Sequence, residues 1–153
     1  MDIDRTAPLT AQAAIEISAD PETVWDVLAD FAGWPAWNPD VKRVSLDGPV
    51  REGGTVRWKA GPSTITSTVR SLRRPGEIAW TGTTLGISAV HVWHFERRGE
   101  LTRATTAESW DGTLPRLLRG PLRRQLQTAV DGGLRHLKDE AERRAGSGRS
   151  AIA

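Results

Sequence analysis

IEISADPETVWDVLADFAGWPAWNPDVKRV, residues 15–44, changes its hydrophobic period twice, and that change decides the fold. Its first residues complete an alternating run, 12–18, with Ala13, Ile15 and Ile17 on one face and Ala14, Glu16 and Ser18 on the other, as in a half-buried strand. Asp20 then stands as an N-cap and Pro21 at the first helical position, and Val24, Trp25, Leu28 and Phe31 recur at helical spacing. GWPAWNPD, 33–40, is punctuated by Gly, Pro and Asn, so it reads as a turn or a very short second helix.

Downstream the period returns to two. Strand-like runs at 41–47, 55–60, 63–72, 77–83, 88–96 and 102–110 are divided by DGP, EGG, GP, RPG, TLG and RRGE. Connections this short suit an antiparallel meander in which each strand pairs with the next. The run 63–72 is ambiguous: Ile65 and Val69 choose one face as inward, but in the other register Thr64, Thr66, Thr68 and Arg70 supply hydroxyls and a charge. From Leu114 the spacing lengthens to three or four: Leu114, Leu118, Leu122, Leu126, Val130, Gly133 or Leu134, Leu137 and Ala141 mark a long amphipathic helix. Gly120-Pro121 is expected to kink or divide it. Gly132-Gly133 costs helix propensity, which the close approach of another backbone or a ligand would explain. One sheet with a dry face and one helix with a dry stripe make a two-layer α+β domain, and a curved sheet opens a gap between the layers.

Length and composition bound the rest. A chain of 153 residues with 38% hydrophobic and 26% charged residues is the size of one domain and can bury a core without staples. It has no cysteine, which removes thiol nucleophiles, thiolate metal sites and disulfides; with no sign of an oxidising compartment, the cytoplasm is the expected location. No segment approaches the roughly 18 apolar residues of a membrane span, and the acidic start MDIDRTAPLTAQ lacks the regions of a signal peptide. Residues 1–11 and 145–153 are expected to be flexible tails around a domain at 12–144. Residues 1–50 carry nine acids to three bases and 51–153 ten to eighteen, so the positive charge lies in the second part.

Seven tryptophans, two phenylalanines and no tyrosine line either an aromatic core or a wide apolar space. In AVHVWHFE, 89–96, alternation puts His91, Trp93 and Phe95 on the inward face and His94 outside. In 102–110 it groups Ala104, Thr106, Glu108 and Trp110. If these two strands form a hairpin, His91 and Glu108 lie near the same end, either as a buried acid/base pair or as a structural hydrogen bond. Trp58 and Trp80 take inward positions on their strands, and Trp34 and Trp37 flank Pro35 in an entrance-like segment. Leu126 and Val130 add the helix side of a ligand-binding wall. His91 and His94 point to opposite faces and there are no cysteines, so neither a metal nor another cofactor is expected; nucleotide-loop and serine-hydrolase motifs are missing too. Arg116, Arg119, Arg123 and Arg124 form either a solvated helix face or an attractor for an anionic ligand or membrane; without aromatic company they do not suggest nucleic acid.

Residues 15–44, AVHVWHFE at 89–96 and TTAESWDGTLPRLL at 105–118 together make the sequence resemble the SRPBCC superfamily. This is the START and birch-pollen-allergen-like helix-grip group, and the resemblance is to its polyketide cyclase/dehydrase and lipid-transport-like branch. The likeness runs over about residues 12–144. It implies a curved antiparallel sheet of about seven strands wrapped around a long C-terminal helix, two short helices after the first strand, and a deep apolar cavity between sheet and helix. Aromatase/cyclase relatives use tyrosine and arginine in that cavity, and this chain has no tyrosine. The expected function is binding of a hydrophobic small molecule (polyketide-, aromatic- or lipid-like), with cyclisation or dehydration by His91 and Glu108 as its enzymatic form. The alternative is an interaction module, chaperone-cofactor-like or membrane-associated, working through the Arg-rich helix.

Overall fold

The computed structural model describes residues 1–152; Ala153, the end of the expected C-terminal tail, lies outside them. Strand β1 (Leu9–Ile17) leads into α1 (Pro21–Ala29), a 3-10 turn (Phe31–Gly33) and α2 (Trp34–Trp37). Six strands follow: β2 (Val41–Leu46), β3 (Thr55–Ala60), β4 (Ser63–Arg73), β5 (Glu77–Thr84), β6 (Ile87–Arg98) and β7 (Leu101–Asp111). Two helices, α3 (Thr113–Leu117) and α4 (Arg119–Ile152), close the chain. The sheet order is β1-β7-β6-β5-β4-β3-β2, antiparallel at each pairing, so β2 to β7 form the expected meander and β1 adds beside β7.

The local signals act as read. The Asp20 carboxylate accepts from the Thr23 N–H at 2.7 Å, and Pro21 follows at the start of α1, where a missing donor costs nothing. Register breaks between Val41 and Arg43 on β2 and between Val69 and Ser71 on β4 bend the sheet. The second break also swaps faces. Ile65, Ser67 and Val69 point into the concave side, after which Leu72 rather than Ser71 joins the core.

Helix α4 lies across the concave face. Its Leu126 and Val130 pack on Leu9 and Ala11 of β1, and Leu134, Leu137 and Ala141 join Val24, Val27 and Leu28 of α1 in the main core. Each of these leucines and valines contributes roughly 1.5–3 kcal/mol when fully buried. The division before α4 falls at Leu118, two residues ahead of Gly120-Pro121. Pro121 thereby sits in the first turn of α4, where no intrahelical donor is required.

Both termini depart from expectation. The first strand starts at Leu9 rather than Gln12, and the residues before it reach back over the convex face, where Ile3 covers Ala79 and Val92. Those two apolar side chains face away from α4 and would otherwise meet water. At the other end the chain stays helical through Ile152, where a tail was expected from Ala145; the Ser147 hydroxyl bonds the Arg143 carbonyl one turn back.

Gly133 is not held by a neighbouring backbone. A Cβ there would lie 3.5 Å from the Trp93 ring, an ordinary contact. Gly133→Ala is therefore expected to stabilise the protein by about 0.5–1 kcal/mol through helix propensity and the unfolded chain, read as a raised melting temperature; a lowered one would contradict the contact geometry.

Candidate functional site

Between the concave sheet and α4 lies a cavity of about 780 Å³, within the size range of small-molecule sites. Each strand from β3 to β7 supplies inward side chains to it: Trp58, Ile65 and Ser67, Trp80, His91, then Glu108 and Trp110. Helix α2 adds Trp34 and Trp37, and α4 adds Gln125, Thr128, Ala129 and Gly133. The exposed rim runs through Pro39, Asp40 and Lys42, the β3–β4 turn at Gly61-Pro62, and Arg124.

The aromatic wall is interlocked. Trp34 is 4% exposed, donates its indole N–H to the Leu28 carbonyl at 2.9 Å, and sits 4.7 Å from Phe31, 5.6 Å from Trp58 and 5.3 Å from Trp80, centroid to centroid. Trp34 is thus part of the inner wall, and only Trp37, half-buried beside the exposed Pro39, approaches the rim. The Trp58 indole donates to the Ser67 hydroxyl at 3.0 Å, whereas the buried Trp37 indole N–H has no hydrogen-bond partner.

His91 and Glu108 are brought together. They are direct cross-strand partners on β6 and β7, with Nδ1 3.5 Å from Oε2. The Trp110 indole N–H donates to the other Glu108 oxygen at 2.8 Å, which leaves Oε2 turned to the histidine. Thr106 fixes the ring from the other side. Its hydroxyl lies 3.2 Å from the Val92 carbonyl oxygen and 2.8 Å from His91 Nε2. A carbonyl only accepts and a hydroxyl has one hydrogen, so Thr106 donates to Val92 and Nε2–H donates to Thr106. In the neutral ring Nδ1 is then a lone pair facing Glu108.

His91 packs between Trp80, at 4.8 Å, and Trp93, at 5.1 Å. Its burial holds the imidazole pKa below the usual 6.5, outweighing the upward pull of the Glu108 charge. The ring is therefore a free base at neutral pH. The unfolded chain takes up this proton first as pH falls below 6.5, so the fold loses stability from there down to the folded-state pKa. An NMR titration of His91 is expected to show a midpoint under 6.5, and a midpoint at or above it would contradict this burial.

Five of the expected ligand contacts lie outside the cavity wall. Trp93 and Phe95 are core residues, at 3% and 6% exposure, with Trp93 against Gly133. Thr106 is buried behind His91. Leu126 and Val130 face β1 instead. The driest stripe of α4 seeks the sheet edge, so the cavity receives the adjacent, more polar stripe of Gln125, Thr128 and Ala129. Their spacing of three and four, one position off the leucines, was the available signal. His94 is half exposed on the convex side, and among the described residues no group of His, Asp and Glu could hold a metal ion.

A curved sheet gripping one long helix around a tryptophan-lined cavity defines a helix-grip protein of the START type. The chain belongs to the polyketide cyclase / dehydrase and lipid transport family, whose model matches residues 8–142. Among solved structures it is similar to the Zhui aromatase/cyclase from a Streptomyces species, with 22% identity, a TM-score of 0.73, and 88% of this chain and 94% of that one covered. A START superfamily protein from Mycobacterium smegmatis shares 18% identity at a TM-score of 0.70, covering 90% and 97%. A Thermus thermophilus protein shares 19% at 0.76, covering 86% and 96%. At these identities the likeness is one of fold. Comparison with functionally curated proteins gave no match. No described helix is long and apolar enough to cross a membrane.

Proposed function

We propose that this protein binds a hydrophobic, polyketide-like or aromatic small molecule in its cavity, in the cytoplasm, and promotes its cyclisation or dehydration with His91 and Glu108. The observation that carries this reading is a largely buried histidine–carboxylate pair set in the wall of a mostly apolar pocket. The family supports the cyclase side of it, and the similar Streptomyces protein, an aromatase/cyclase, points the same way.

The pair acts by proton transfer. A separation of 3.5 Å is longer than a normal hydrogen bond, so the Nδ1 lone pair and Oε2 are both left open to a ligand hydrogen. Neutral His91 takes a proton from an acidic carbon between two carbonyls of the bound chain. That carbon then bonds to a second carbonyl carbon held close to it, and the resulting alkoxide takes back a proton from the pair. A further proton removal and return lets the oxygen leave as water. Holding a flexible chain folded against tryptophan faces supplies the proximity, and the pair supplies the acid and base. No tyrosine takes part, unlike in the relatives whose chemistry the resemblance implies.

Native mass spectrometry of the protein purified from its own cells tests the binding. The expected result is an apolar small molecule retained on the folded protein and released on unfolding. A preparation that stays unliganded and takes up no polycyclic aromatic would overturn the proposal.

A further inference from the structure

Among the described residues the exposed large hydrophobic side chains are Met1, Leu85, Leu117 and Leu118, and the three leucines gather at one end of the molecule. Leu85 is 86% exposed in the β5–β6 turn, Leu117 is 73% exposed at the end of α3, and Leu118, at 48%, links α3 to α4. Their neighbourhood is built in. The Leu114 N–H donates to the Gly86 carbonyl at 3.3 Å, and Gly112 has φ +121 with no room for a Cβ, which would run into that same carbonyl. The turn and α3 are thus held together with their leucines outward.

Arginines surround them. Arg116 pairs with Asp111 at 2.9 Å, but among the described residues Arg119 and Arg123, both exposed, have no acidic partner. The same segments reach the cavity, since Thr84, Ile87, Pro121 and Arg124 line it. We infer that this end of the protein docks on an anionic lipid surface, the leucines entering the headgroup layer and the arginines pairing with lipid phosphates. Leu85 on a tight turn and Leu117-Leu118 at a helix junction stand out beside Arg119 and Arg123, and apolar tips ringed by cations fit an anionic headgroup layer better than the flat, closely packed patch of a protein interface. Guanidinium groups suit phosphate oxygens. Docked this way, the cavity loads an apolar ligand beside the membrane, although the docking does not depend on what the cavity does with it.

Co-sedimentation with phosphatidylcholine vesicles, with and without phosphatidylglycerol, tests the inference at low and physiological salt. The wild type is expected to bind the anionic vesicles and to release in salt. Arg119→Gln/Arg123→Gln should weaken binding by about 25-fold, at roughly fivefold per arginine. Leu117→Ser/Leu118→Ser, on exposed positions that leave the fold intact, should weaken it about tenfold or more. Arg97→Gln/Arg98→Gln, at the far end of β6, should leave it unchanged. The inference is overturned by absence of binding, by equal binding to both vesicle types, by a leucine variant that binds as the wild type does, or by equal loss in the Arg97/Arg98 variant. Capture of an acidic protein with no vesicle binding also overturns it.

Discussion

Trp34→Ala is expected to destabilise the protein by about 3–5 kcal/mol, the cost of emptying a large aromatic site in a core that cannot collapse onto it. Three features make this position severe. Trp34 is almost fully buried, its indole is hydrogen-bonded to Leu28, and its ring touches Phe31, Trp58 and Trp80 from three elements. The cavity already lies on one side of it, so truncation joins a new void to an existing one. For a domain of this size the melting temperature should fall by about 6–20 °C. Thermal unfolding measures it, and a change below about 0.5 kcal/mol, within the range of an ordinary surface substitution, would show that the wall is not a cooperative part of the core.

The second large effect is on chemistry. With a poly-keto substrate analogue, His91→Ala and Glu108→Gln are each expected to lower the single-turnover rate by about 100- to 10,000-fold, the usual worth of a placed acid or base. Affinity should change little, because His91 and Glu108 are two residues of a much larger, mostly apolar lining. Glu108→Gln is the cleaner variant, since its amide oxygen can still accept from the Trp110 indole. Full rate in both variants would reduce the pair to a structural hydrogen bond and leave a binding protein without acid/base catalysis.

Much of this architecture is legible in the sequence. Alternation alone set Trp58, Trp80, Trp93 and Trp110 on the concave face, because a strand buried on one side has only two choices and an indole rarely takes the wet one. His91 and Glu108 were placed near each other by the short RRGE connection, and the observed pairing is direct. What periodicity missed has a common cause. It finds the driest face of an element, and here the driest face of α4 goes to β1 through Leu126 and Val130, so the functional face is the neighbouring one. The face swap on β4 was illegible for a related reason, since a register break leaves no mark when serines occupy both sides of it. The apolar patch of Ala79 and Val92 belonged to the convex face, covered by a segment that composition alone marked as a tail.

The central claim is that the cavity binds a planar apolar molecule against these tryptophans. Because the chain has no tyrosine, its intrinsic emission reports tryptophan. The direct test is a fluorescence titration with a hydroxyanthraquinone, on the wild type and on Ala89→Phe/Ala129→Phe, which fills the cavity from the sheet and from the helix. The account predicts saturable quenching at one molecule per chain in the wild type and strongly weakened quenching in the variant. Quenching that rises linearly without saturation, or that is the same in both proteins, would contradict it.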